Sequence, residues 1–228
     1  MDYEIKGGSL PFLSVKLDKD EEIICQAGAM AWMDDEIEMK TEAGGFRKMI
    51  GRVFTSEPMF TNRYVANKTG EIALTSTFPG SIVAVEVMPN KPLIIQKKAF
   101  LAMTKGVTSK VYFQKKIGVG LFGGEGFIMN QFVGQGMVFI EVDGSAQEYD
   151  IEAGDRKIVN TCNLVAMTST CNLDVRMIKG VKNILFGREG MFNTVVSGPG
   201  HLILQSMPIQ DTALRLYNYM PHPSSNNK

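Results

Sequence analysis

AFLAMTKGVTSKVYFQKKIGVGLFGGEGFIMNQFVGQGMVFI, residues 99–140, lies without a gap over NLVAMTSTCNLDVRMIKGVKNILFGREGMFNTVVSGPGHLIL, residues 163–204, at a constant offset of 64 positions (163 − 99). Ala102-Met103-Thr104 falls on Ala166-Met167-Thr168, and Leu121-Phe122-Gly123 falls on Leu185-Phe186-Gly187. Glu125-Gly126 falls on Glu189-Gly190, and Gly134 and Gly136 fall on Gly198 and Gly200. A fixed internal period means repeated structural units that bury their faces on one another. It speaks to architecture and not to chemistry.

A looser copy precedes these two. Met33 matches Met103 and Met167; Glu57-Pro58-Met59-Phe60 matches Glu125-Gly126-Phe127-Ile128; Gly70 matches Gly136 and Gly200. The three copies run over about 17–80, 87–144 and 151–207. Within them, short alternating or β-branched runs such as Leu93-Ile94-Ile95-Gln96 and Leu173-Asp174-Val175-Arg176-Met177 predict strands between glycine turns. Ser81–Val87 and Ala146–Ile151 read as the joins between copies. No long 3.6-residue periodicity interrupts this pattern, so residues 1–207 form one compact all-β domain. The exception follows it: Pro208 opens a short helix with Ala213, Leu214, Leu216 and Tyr217 on one side, and Pro221 and Pro223 end it before a polar tail to residue 228.

Composition narrows the function classes. The 24 basic and 24 acidic side chains cancel, which is not the balance of a dedicated nucleic-acid binder. Cys25, Cys162 and Cys171 have neither the number nor the spacing of a disulfide framework or a zinc site, and read as reduced thiols. No basic n-region with an apolar run opens the chain, and no apolar run approaches the roughly 20 residues of a bilayer span. The expected setting is the cytoplasm.

The candidate chemistry is thin. Gly118, Gly120 and Gly123 satisfy G-x-G-x-x-G, but a strand rather than a helix follows, so the motif reads as a turn. His201 and His222 are too few for a cupin-type metal site, and no nucleophile stands in a G-x-S-x-G elbow. Glu57, Glu125 and Glu189 place one carboxylate at the same point of each copy. They either face a common axis or ligand, or each accepts hydrogen bonds from its own turn. Lys97, Lys98, Lys105, Lys110, Lys115 and Lys116, with Tyr112 and Phe113, give the middle copy a basic face. Such a face suits single-stranded nucleic acid, although a solvated face or a blunted sheet edge is the commoner cause. No catalytic residue, metal or cofactor is expected.

The repeated Ala-Met strand, the Leu-Phe-Gly-x-Glu-Gly turn and the Gly-x-Gly strand opener, spread over about residues 3–207, resemble a family named for mitochondrial biogenesis and altered inheritance of mitochondria. That resemblance implies a fold similar to the tryptophan RNA-binding attenuation protein, a short double-stranded β-helix repeated within one chain. It also implies association into a trimer or larger ring, and no activity. The expectation is a non-catalytic, self-associating protein that acts as a scaffold for an unknown protein partner. The alternative is a regulatory module for RNA or a small ligand.

Overall fold

The computed structural model describes residues 1–40, 61–115, 126–177, 192–217, 219 and 220. Glycine-punctuated runs of alternating and β-branched residues become strands, as their period of two requires. In chain order they are β1 (Asp2–Lys6), β2 (Phe12–Leu17), β3 (Glu22–Gln26), β4 (Met30–Met33), β5 (Ile37–Lys40), β6 (Thr61–Ala66) and β7 (Gly70–Thr75). Then come β8 (Gly80–Val87), β9 (Leu93–Gln96), β10 (Phe100–Thr104), β11 (Val107–Lys115), β12 (Phe127–Gly134) and β13 (Gly136–Asp143). The last set is β14 (Ala146–Ile151), β15 (Arg156–Asn160), β16 (Leu164–Thr168), β17 (Asn172–Met177), β18 (Phe192–Ser197) and β19 (Gly200–Gln205). One helix, α1 (Ile209–Tyr217), follows Pro208, and Asp143 Oδ2 accepts the Ile209 N–H at 2.7 Å. The body is all-β with a short C-terminal helix.

Pairing is antiparallel throughout these strands and follows a recurring scheme. β7 lies between β2 and β4, and β6 between β3 and β5. β13 lies between β8 and β10, and β12 between β9 and β11. β19 lies between β14 and β16, and β18 between β15 and β17. Ser81–Val87 and Ala146–Ile151, read from sequence as joins, are therefore strands in their own right. β8 pairs along its whole length with β13, and β14 with β19. Both are edge strands: β8 carries the mostly half-buried apolar run Ile82-Val83-Ala84-Val85, and β14 is exposed from Gln147 to Asp150.

Two further pairings carry the sheets across the chain. β3 pairs with β10, and β9 with β16. The result is two six-stranded sheets, β5-β6-β3-β10-β13-β8 and β11-β12-β9-β16-β19-β14, flanked by a four-stranded sheet, β1-β2-β7-β4, and a three-stranded one, β15-β18-β17. The buried apolar residues fall into three clusters. The first lies around Leu13, Ile72 and Phe139, the second around Phe100, Phe132 and Val165, and the third around Phe127, Leu164 and Leu202. Each draws side chains from both partners of a six-stranded sheet, so burial welds each segment to the next.

Candidate functional site

The sequence-matched positions occupy matching places. Met33, Met103 and Met167 lie opposite Ile72, Val138 and Leu202. A register irregularity precedes all three, before Trp32, Ala102 and Ala166. One residue on, Asp34 Oδ2 accepts the Glu71 N–H at 2.8 Å, Thr104 Oγ1 accepts the Met137 N–H at 3.0 Å, and Thr168 Oγ1 accepts the His201 N–H at 3.0 Å. The glycine before each of these amides lets the side chain approach. A Cβ on Gly136 or Gly200 would fall 2.1 or 2.4 Å from the threonine oxygen.

The two joins share a register. Ala102 faces Cys25, Met103 faces Ile24 and Thr104 faces Ile23. Ala166 faces Ile95, Met167 faces Ile94 and Thr168 faces Leu93. Each join thus sets a methionine against an isoleucine. The strands at matching places in the outer sheets are β4 and β15. Neither has a partner on its outer side among the described residues. Their side chains are correspondingly uncovered: Trp32 is 52 % exposed and Ile158 69 %, whereas Ala102, Ala166 and Ile94 are 0 % exposed.

A polar cavity of about 270 Å³ lies where β3, β9, β13, the end of β19 and the start of α1 meet. Gln26, Gln96, Glu141, Asp143, Gln205 and Gln210 line it. Glu141 and Gln205 occupy matching positions and perform one matching task. Glu141 Oε2 accepts the Thr77 N–H at 2.7 Å, and Gln205 Oε1 accepts the Asp143 N–H at 3.0 Å. They then differ. Gln205 Nε2 donates to the Cys162 carbonyl at 2.8 Å, while Glu141 Oε1 is buried with no hydrogen-bond partner. Gln26 Oε1, Gln96 Nε2 and Gln210 Oε1 share that condition. Burial pushes the Glu141 carboxyl above its ordinary value despite the hydrogen bonds from Thr77 and Ser76, and it pushes Asp143 up as well.

The other candidates are dispersed. Glu57, Glu125, Glu189, Lys116 and the Gly118–Gly123 motif lie outside the described residues, as does His222. Lys97 and Lys98 sit on the 3₁₀ turn after β9, and Lys98 lines the cavity. Lys110 is exposed on β11, while Lys115 at its end donates to the Val175 carbonyl. The lysines are thus spread over different elements, and one is engaged by the backbone. His201 is held at the surface between Asp150 Oδ1, 2.8 Å from Nδ1, and Glu148 Oε2, 3.0 Å from Nε2. Among the described residues no group of three or more His, Cys, Asp and Glu side chains is arranged to hold a metal. All three cysteines are buried and unpaired, and no helix is long and apolar enough to cross a membrane among the described residues. Exposed sheet edges were expected from the repeated units, but not which strands form them, and the cavity was not read from sequence; Met33 and Ile158, matching Met103 and Ile94, were the available signal for the edges.

The mitochondrial biogenesis AIM24 family model matches residues 3–207. The chain belongs to that family. Among its relatives is an uncharacterized protein of Streptococcus pyogenes serotype M6, 28% identical over an alignment of 225 residues that covers 94% of this chain and 89% of that protein. A crystal structure of a Streptococcus pyogenes protein superposes with a TM-score of 0.79 at 23% identity, covering 96% of this chain and 99% of the other. At that identity the likeness speaks to the fold.

Proposed function

We propose that this AIM24-family protein is a non-catalytic, self-associating cytoplasmic scaffold, made of three six-stranded units whose copies associate through open sheet edges and present a platform to a protein partner. The observation behind this reading is the pair of uncovered strands, β4 and β15, at the places where β10, β16, β3 and β9 are paired. An uncovered edge carrying apolar side chains is a template for another chain. The buried, unpaired thiols suit a reducing compartment. Native mass spectrometry of the purified protein over a dilution series tests the reading. Multiples of the 25.1 kDa chain are expected, and a single chain at every concentration would overturn it.

A second reading, a module for a small ligand, has the cavity behind it. Glu141 Oε1, Gln26 Oε1 and Gln210 Oε1 are acceptors awaiting a donor, which suits a small protonated amine. Ethanolamine, with ethylene glycol as the uncharged control, is the probe. A saturable rise in melting temperature with the amine, absent in Glu141→Gln, supports a ligand site. Equal responses to both compounds, or none, would show a cavity that holds water only.

A further inference from the structure

We infer that copies of this chain join head to tail, with β4 of one molecule adding to β15 of the next in the register that already joins β10 to β3 and β16 to β9. This rests on the self-association proposed above and names its interface. Transferring the internal register fixes every contact. Ile158 faces Val195 across β18 as Ile94 faces Gln131 across β12, so Ile158 stands where Ile94 does. Met33 stands where Met103 and Met167 do. The new join therefore sets Met33 opposite Ile158, a third methionine–isoleucine pair after Met103–Ile24 and Met167–Ile94. It sets Trp32 opposite Val159, Asp34 opposite Lys157 and Asp35 opposite Arg156.

Those last two pairs set opposite charges across the join. Inside the chain Thr104 faces Ile23 and Thr168 faces Leu93, and one residue beyond Thr104 the join of β10 to β3 carries an ion pair of the reverse polarity, Lys105 Nζ to Glu22 Oε2 at 3.7 Å. The open edges carry two acids on one side and two bases on the other, in antiparallel order. Opposite charges set directly across strands attract, and the same arrangement repels β4 from β4 and β15 from β15. The complementarity thus selects a directional, heterologous contact over a two-fold one.

Trp32 does not obstruct the edge. Its ring lies 5.2 Å from that of Phe12, on β2, so it reaches back over β7 and away from the open side. Asp34 keeps its bond to the Glu71 N–H, as Thr104 and Thr168 keep theirs within paired strands. Arg156 and Asp35 are exposed, so that pair is available at the surface, whereas Lys157 is half-buried with Nζ 4.1 Å above the Tyr149 ring and would exchange that contact for Asp34.

Charge exchange and cross-linking test the join on the full chain. Asp35→Lys alone, or Arg156→Glu with Lys157→Glu, should weaken association by about tenfold or more at about 0.1 M salt. Asp35→Lys with Arg156→Glu in one chain should restore it, because that pair is then reversed while Asp34 still faces Lys157, and circular dichroism checks that each variant is folded. Met33→Cys with Ile158→Cys in one chain should give, on mild oxidation, a ladder of multiples of the chain mass. The native thiols are buried, so the background is low. A disulfide confined to a single chain would overturn the copy-to-copy join. So would a wild type that associates but whose charge variants associate equally, and this leaves self-association standing. A wild type that stays a single chain at all concentrations overturns both.

Discussion

Glu141 and Gln205 differ in one terminal atom, and that atom decides a stability profile. The folded state holds the Glu141 carboxyl above the ordinary 4.5 because burial disfavours its charge. A group raised in this way favours the fold below its ordinary value, and that favour is lost as pH rises through the raised one. Glu141→Gln removes the loss. It also supplies an N–H where Gln205 uses its own to reach a carbonyl. In urea titrations from pH 4 to pH 8, the variant should gain stability relative to wild type as pH increases. A constant difference would sink the account. His201 runs the other way. Burial pulls its pKa down, but the bonds to Asp150 and Glu148 outweigh burial, and the result lies above 6.5. Its contribution is present at low pH and fades as pH climbs through the raised value. The advantage of wild type over His201→Gln should therefore shrink between pH 6 and pH 8 by thermal melting.

The strand openers Gly70, Gly136 and Gly200 are one motif under unequal constraint. Gly136 has φ of +152° and Gly200 of +157°, and each packs against a threonine oxygen closer than a Cβ allows. At Gly70 a Cβ would meet Ile37 Cγ1 at 3.3 Å, an approach that a small shift relieves. Replacement by alanine should cost about 2 kcal/mol or more at Gly136 and Gly200, and clearly less at Gly70, in equilibrium denaturation. This motif was legible in sequence because glycine spacing and apolar alternation record backbone geometry directly, as did the helix after Pro208. The strands β8 and β14 were legible only as joins between copies: Glu148, Tyr149 and Asp150 on β14 are exposed and carry no apolar stripe. The cavity stayed hidden for another reason. Gln26, Gln96, Glu141 and Gln210 come from distant parts of the chain, and only the sheet crossings bring them together. The candidate carboxylates Glu57, Glu125 and Glu189 shared a position in the sequence, yet repetition says nothing about the direction in which a side chain points.

For the molecule as a whole, the burial of Cys25, Cys162 and Cys171 makes reactivity a report on the fold. Burial pushes Cys25 and Cys162 to about 12, so neither supplies thiolate at pH 8. A disulfide reagent such as Ellman's should find all three thiols in urea and almost none in the native protein. Fast labelling of the native chain would contradict the buried placement. The crossings of β3 to β10 and of β9 to β16 have a further consequence. Because one chain carries both, each forms at the high effective concentration of a tether, and dilution cannot undo it. Only a contact between molecules would feel bulk concentration. An assembly of such chains would therefore come apart only at the seams between molecules, releasing whole chains with both crossings intact.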